Sequence, residues 1–167
     1  MNPQEVSLPN IRIGLGYDSH RLASGGPLLI GGIEIPADVH AVGHSDADVL
    51  LHSLTDALLG AIADGDIGRL FPDTAAENKD RDSRDFVNEA NARVNTQGYG
   101  IVNLDCVILA ERPKMAPHID SMRYAIAEML GIDIGRVSIK AKTGEGVGEI
   151  GTGQSIATRV VVLLAGN

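Results

Sequence analysis

The segment GLGYDSHR, residues 14–21, places a carboxylate and an imidazole, Asp18 and His20, two positions apart at the end of a predicted strand. Residues i and i+2 of a strand point to the same face, so these side chains can converge on one point. A predicted helix follows, and it carries His52 and Asp56 on one stripe, four residues apart. One Asp and two His residues form a ligand set typical of a catalytic zinc site, which leaves a fourth position for water or substrate.

Each of these three residues also has an ordinary structural role available to it. Asp18 could cap a turn, His20 could lie on the surface, and His52 could be a hydrogen-bonded histidine of the core. Residue types and spacing alone therefore leave both the metal site and the structural roles open.

A second polar cluster follows a predicted strand near the C-terminus. Lys140 and Lys142 face one side of that strand, and Glu145 comes soon after it. Such a cluster is either a solvated ion pair or, beside phosphates, a site for Mg²⁺. Residues 146–151 match GxGxxG, but they precede a strand instead of a helix, so we exclude a dinucleotide fingerprint.

The composition narrows the class of protein. The chain has 167 residues, a net charge of −8, no Trp and one cysteine, Cys106. The negative charge argues against nucleic acid or an anionic membrane as a partner. Cys106 lies in an apolar run without a setting that would activate it, so we expect a buried, inert thiol. The N-terminal segment resembles no targeting signal, and we expect a cytoplasmic protein.

Strand and helix patterns alternate along the chain and predict an α+β fold. The first strand is IRIGLGYD, and PLLIGGIEIP predicts a hairpin. The first helix is expected to start at Ser45, with Asp48 completing a capping box. We predict a single-domain, two-layer α/β sandwich over residues 11–167, preceded by a tail at residues 1–10. The sheet is expected to be mixed, with helices on one face and self-association covering the other.

Four sequence blocks together resemble the 2-C-methyl-D-erythritol 2,4-cyclodiphosphate synthases of the non-mevalonate route to isoprenoids. They are GYDSHR, GHSDADVLLHSLTDALLGAIADGDIGRLFPDT, AERPKMAPHI and IKAKTGEGVG, and the likeness extends from about Ile11 to Leu164. The resemblance implies conversion of 4-diphosphocytidyl-2-C-methyl-D-erythritol 2-phosphate to the cyclic diphosphate and CMP. It also implies a homotrimer with active sites between subunits.

The resemblance assigns roles to individual residues. It implies zinc, or another divalent transition metal, on Asp18, His20 and His52, and Mg²⁺ or Mn²⁺ on Glu145. His44 and Thr143 would stabilise the transition state. The implied substrate-binding residues are Asp18, His20, His44, Ser45, Asp66, Ile67, Gly68, Phe71, Pro72, Asp73, Thr74, Ala75, Ala110, Glu111, Arg112, Pro113, Lys114, Met115, Ala116, Lys142, Thr143, Gly144 and Glu145.

The chain departs from the family pattern at two places. Ala75 stands where many relatives have a second Asp, which is tolerable if that loop acts through backbone amides. The glycine-rich loop has Glu149, Thr152 and Gln154 where relatives often have Phe, Arg and Glu. We therefore do not extend the resemblance to a prenyl-diphosphate site in the centre of the trimer.

Two other classes of function stay open at this point. A hydrolase of nucleotide diphosphates would use the same Asp–His–His site to activate water. A non-catalytic trimeric binding module would hold a structural zinc, but such sites normally have four protein ligands, often cysteines.

Overall fold

A five-stranded sheet with one layer of helices forms the core of the computed structural model, which describes residues 10–72, 78 and 81–166. The strands are β1 (Ile11–Ser24), β2 (Leu28–Ile30), β3 (Ile33–Ile35), β4 (Val39–Val42), β5 (Tyr99–Leu109), β6 (Val137–Lys142) and β7 (Ser155–Gly166). The helices are α1 (Val49–Ala61), α2 (Ile67–Leu70), α3 (Ser83–Thr96), α4 (Ile119–Leu130) and α5 (Gly148–Gly151), with 3₁₀ turns at Ala116–His118 and Ile134–Arg136.

The sheet is mixed, as predicted. Its strand order is β4-β1-β7-β5-β6, in which β5 and β6 are parallel and the other neighbours are antiparallel. β2 and β3 form a separate hairpin around Gly31 and Gly32, both of which have positive φ. The predicted two-layer sandwich and its hairpin are thus confirmed.

Most predicted elements lie where the sequence placed them, and two predicted loops contain an additional short helix. α3 and α4 stop just before Gly98 and Gly131, whose positive φ values suit a helix end. The polar loop after α1 contains α2, and the glycine-rich loop contains α5. Cys106 is buried, as expected, and burial raises its pKa to about 12, which favours an inert thiol.

The prediction that Asp18 and His20 lie at the end of a strand is wrong. β1 continues to Ser24, and Asp18 and His20 pair with Thr158 and Ile156 near the end of the β1–β7 ladder. The strand continues past these polar side chains because the backbone of Arg21–Ser24 has a further partner in β4. The two residues are therefore held by a continuous ladder.

The predicted start of α1 at Ser45 is also wrong, since Asp48 caps the helix and Val49 is its first residue. The fully buried carboxylate of Asp48 accepts the backbone N–H groups of Leu50 and Leu51. It also accepts those of Gly31 and Gly32 in the hairpin, at 2.9 and 2.7 Å. Asp48 thus joins the hairpin to the helix, an interaction that local capping rules do not include.

α1 is buried on nearly every side. The predicted core positions Leu51, Leu54, Leu58 and Ala61 are buried, as expected, but so is every other residue of the helix except Asp56 and Gly60. The sheet covers one side of α1 and α3 packs on another, so α1 is a central helix instead of an amphipathic surface helix.

Two glycines of β1 allow α1 to lie directly on the sheet. A Cβ atom at Gly14 would overlap the carbonyl oxygen of Ala57, and one at Gly16 would overlap that of Ser53. Asp18 follows on the same face of the strand, because side chains alternate along it. The absence of side chains at the two glycines therefore sets the distance between Asp18 and His52.

The opposite face of β1 is apolar and uncovered in the single chain. Ile11, Ile13, Leu15 and Tyr17 are 51–68% exposed, while Gly14 and Gly16 between them are buried. Contiguous apolar surfaces of this kind are typical of interaction sites. Among the described residues, no helix is long and apolar enough to cross a membrane.

We expect Gly16→Ala to destabilise the protein by about 3 kcal/mol or more, because the added methyl group forces α1 away from β1. Gly60→Ala is the matched control, since a Cβ at this position of α1 meets no atom within 4 Å. That control should stabilise the protein by about 0.5–1 kcal/mol. Denaturant unfolding of both variants measures the difference, and equal stabilities would contradict the close-packing account.

Candidate metal centre

Three ligand atoms from β1 and α1 converge between the sheet and the helix. His52 Nδ1 lies 3.0 Å from Asp18 Oδ2 and 3.1 Å from His20 Nε2. Asp18 Oδ2 and His20 Nε2 are also 3.0 Å apart. The predicted meeting of these three side chains is therefore confirmed, and they form a group able to hold a metal ion.

The spacing of the three atoms fits a small tetrahedral cation. Zinc ligands at 2.0–2.1 Å in tetrahedral geometry are separated from one another by about 3.3 Å. The nearly equilateral triangle of 3.0–3.1 Å requires only a slight expansion to reach that spacing. One carboxylate oxygen and two imidazole nitrogens are also donors that suit zinc.

The remaining polar atoms of all three side chains have partners that fix their orientation. Asp18 Oδ1 accepts the N–H of Ser19 at 2.8 Å, which leaves Oδ2 for the cation. His20 Nδ1 lies 3.0 Å from the carbonyl oxygen of Val42 and must donate to it. In a neutral imidazole the proton on Nδ1 leaves a lone pair on Nε2, so this contact selects the tautomer that a metal requires.

Burial and the two histidines shift the pKa of Asp18 in opposite directions. Burial favours the neutral carboxyl, but hydrogen bonds and the charges of His20 and His52 outweigh it and lower the pKa of Asp18 well below its usual range. Burial lowers the pKa of His20, but the hydrogen bond and the charge of Asp18 outweigh burial, so the net effect is a raised pKa. Asp18 is therefore an anion near neutral pH, as a ligand must be.

The three side chains open into a cavity of about 220 Å³. Its walls combine polar groups with the aromatic rings of Phe71 and Phe86. Among the predicted site residues, the cavity is lined by Asp18, His20, His44, Ser45, His52, Ile67, Gly68 and Phe71.

The other predicted substrate-binding residues between Asp66 and Ala75 either lie outside the lining of this cavity or are not among the described residues. Asp66 caps α2 by accepting the N–H of Arg69, and Pro72 is exposed at the end of the described loop. Neither residue lines the cavity. The predictions for Asp73, Thr74 and Ala75 fall on residues that the structure does not describe.

The predicted nucleotide-binding loops form a separate cluster. The N–H of Gly144 donates to Glu111 Oε2 at 3.1 Å, and the N–H of Ala110 donates to the carbonyl of Lys142 at 3.0 Å. Thr143 Oγ1 donates to the Glu145 carboxylate at 2.9 Å. The structure thus joins the two loops, which run over residues 110–116 and 142–145.

This cluster lies on the other face of the sheet from the metal centre. Thr143 and Gly144 line a cavity of about 410 Å³ together with Tyr17 and Ser19 of β1. Tyr17 and Ser19 alternate with Asp18, so they point away from α1. Within one chain, the sheet therefore separates the two groups of predicted site residues.

The cavity at the metal centre also contains three residues absent from the predicted site, namely Asp56, Asn78 and Phe86. Burial raises the pKa of Asp56, although its carboxylate accepts the N–H of Ile67 at 2.8 Å. The four-residue spacing from His52 already placed Asp56 on the same stripe of α1. No spacing pattern connects His52 with Asn78 or Phe86.

A family model, curated relatives and solved structures all match this chain over most of its length. The model of the YgbB family matches residues 11–165. The 2-C-methyl-D-erythritol 2,4-cyclodiphosphate synthase of Rhodopirellula baltica is 67% identical over 92% of this chain and 93% of its own length. The synthase of Chromobacterium violaceum is 56% identical over 92% of this chain and 98% of its own. The structure of IspF from Plasmodium falciparum in complex with CDP has a TM-score of 0.85 and 34% identity, over 96% of this chain and 99% of that one.

We expect His52→Ala to weaken zinc binding by more than about 100-fold. Loss of a group that only hydrogen-bonds to a metal ligand typically costs about 10- to 100-fold, and the loss of a ligand itself should cost more. Competition with a chromophoric chelator measures the affinity. His40→Ala is the control, because His40 is exposed and outside the group of three ligands. Zinc affinity that is equal in His52→Ala and in the wild type would contradict the site.

Proposed function

Because the chain belongs to the YgbB family, we propose that it converts 4-diphosphocytidyl-2-C-methyl-D-erythritol 2-phosphate to 2-C-methyl-D-erythritol 2,4-cyclodiphosphate and CMP. The observation that carries this proposal is the convergence of Asp18, His20 and His52 beside a cavity, in a chain 67% identical to a named synthase. The reaction would be a step of the non-mevalonate isoprenoid pathway.

The proposed chemistry is an intramolecular phosphoryl transfer. An oxygen of the substrate's own 2-phosphate forms a bond to the β-phosphorus. The bond between that phosphorus and the oxygen bridging to the α-phosphate breaks, and CMP leaves with this oxygen. A phosphate monoester is already anionic near neutral pH, so the step needs no strong general base.

The main obstacle is the repulsion between two anionic phosphates that must meet in line. A chain with a net charge of −8 does not offset this repulsion through its overall potential. When bound, a zinc ion on Asp18, His20 and His52 and a Mg²⁺ or Mn²⁺ ion on Glu145 supply local positive charge as Lewis acids.

The chain's own residues position the substrate. His44 and Ser45 lie in the cavity beside the three ligands, where their side chains can hold the phosphates by hydrogen bonds. On the second cluster, Thr143 would donate a hydrogen bond where charge develops in the transition state. Backbone groups of residues 110–116 would bind the cytosine, which suits a chain with only five Phe and Tyr residues and no Trp.

A complete active site requires two copies of the chain. The metal centre and the Thr143 cluster lie on opposite faces of the sheet, so one substrate does not reach both within one chain. The exposed apolar face of β1 would provide the surface on which copies associate. The family resemblance implies three copies, so we propose a homotrimer that packs through its sheets, with each active site shared by neighbouring subunits.

The product distinguishes this function from the hydrolase alternative. With the cytidyl substrate, zinc and Mg²⁺, we expect CMP and a cyclic diphosphate to form in equal amounts. Phosphorus NMR measures both products. A metal-dependent hydrolase would give CMP and an open bisphosphate instead, because water is then the nucleophile. That product, or no release of CMP, would contradict the proposal.

Complementation between two inactive variants tests the shared site. His52→Ala removes the metal side and Thr143→Ala removes the other side, so each variant alone should be inactive. In trimers reassembled from an equal mixture, about one quarter of the sites combine the two intact sides. We expect about one quarter of the wild-type turnover in the mixture, measured by CMP release. Activity that stays absent after verified exchange of subunits would contradict sharing.

A further inference from the structure

A line of hydrogen bonds leads from the metal centre to two residues without an assigned role. His52 Nε2, the ring nitrogen that does not face the metal position, lies 2.9 Å from the hydroxyl oxygen of Ser83. The Ser83 hydroxyl in turn donates to a carboxylate oxygen of Asp46. Ser83 is fully buried, and His52 is only 9% exposed. The three residues come from α1, the first turn of α3 and the segment before α1.

Counting hydrogens fixes the direction of this line. A carboxylate accepts hydrogen bonds and donates none, so the single hydrogen of the Ser83 hydroxyl points at Asp46. The Ser83 oxygen can then only accept at its other contact, and His52 must carry a proton on Nε2. A neutral imidazole protonated on Nε2 has its lone pair on Nδ1, the atom that faces Asp18 and His20.

We propose that Ser83 and Asp46 are positioning residues for the metal centre. They hold the ring of His52 in one orientation and in the one tautomer that presents Nδ1 to the cation, and the charge of Asp46 makes the ring a stronger ligand. The inference rests on the metal role of His52 proposed above. The contact of His20 with the Val42 carbonyl does the same for the other imidazole.

This arrangement also separates the roles of two serines. Ser45 Oγ lies at the same distance from His52 Nε2, 2.9 Å, but Ser45 lines the cavity and Ser83 does not. Since Nε2 has one proton and Ser83 accepts it, the hydrogen of the Ser45 hydroxyl is free to point into the cavity. Ser45 is thus available to donate to a phosphate, while Ser83 acts on the metal.

Backbone contacts hold Ser83 and Asp46 together. The N–H of Ser83 donates to Asp46 Oδ2 at 2.9 Å, and the N–H of Asp46 donates to the Arg81 carbonyl at 3.2 Å. These bonds join the segment before α1 to the start of α3. A purely structural role for Ser83 is the alternative that the experiment must distinguish.

The test measures the affinity for zinc alone and the visible spectrum of the cobalt-substituted protein. Ser83→Ala should weaken zinc binding by about 10- to 100-fold and alter the cobalt spectrum. Asp46→Asn should act in the same direction, and the double variant should lose little more than Ser83→Ala, because the two residues act in series. Asp82→Ala is the matched control, since it removes the cap of α3 without touching the line of hydrogen bonds.

Ser45→Ala gives the complementary result. We expect it to bind zinc as the wild type does and to lose turnover.

A measurement on the unaltered protein adds an independent check. In the zinc-loaded wild type, the Nε2 proton of His52 should exchange slowly with solvent by NMR, because it is buried against Ser83.

Three results would overturn the inference. One is wild-type zinc affinity and cobalt spectrum in Ser83→Ala, even with lower thermal stability. The second is an equal loss of affinity in Asp82→Ala. The third is rapid solvent exchange of the Nε2 proton. Wild-type protein that binds zinc but forms no cyclic diphosphate contradicts the proposed function alone, and wild-type protein that binds no zinc contradicts both.

Discussion

The direct contact between α1 and β1 is the constraint on which the rest of the structure depends. It exists because Gly14 and Gly16 have no side chains where the helix backbone crosses the strand. The contact brings His52 within 3.0 Å of Asp18, and a side chain at either glycine would widen that gap. The metal centre therefore depends on two things, the identity of the ligands and the close packing of a helix on a sheet.

Under the proposed function, strand alternation explains why a single chain carries two incomplete half-sites. Asp18 and His20 point toward the helices, whereas Tyr17 and Ser19 point to the uncovered face, beside Thr143. The apolar residues of that same face favour association, and in the proposed trimer the interaction that buries them would also unite the two half-sites of neighbouring copies. Under the proposed trimer, assembly and activity depend on one surface.

The sequence predicted the sandwich because it follows from local patterns. The spacing of Asp18 and His20 and the helical stripe of His52 made their convergence possible, but only the family resemblance selected a metal site over structural roles. The errors arose where a tertiary contact decides. Ser45 and Asp48 are both good caps, and the choice of Asp48 also depends on its bonds to the hairpin. Ser83 is 31 residues from His52, and no periodicity connects them.

The central claim is that one divalent cation binds between β1 and α1 on three protein ligands, with a further position open to substrate. X-ray absorption spectroscopy of the zinc-loaded protein tests it most directly. We expect one zinc ion per chain with two imidazole nitrogens and a carboxylate oxygen at about 2.0–2.2 Å, and a non-protein oxygen as the fourth ligand. A zinc ion with four protein ligands, or with only one imidazole, would show that the cation does not bind in this way.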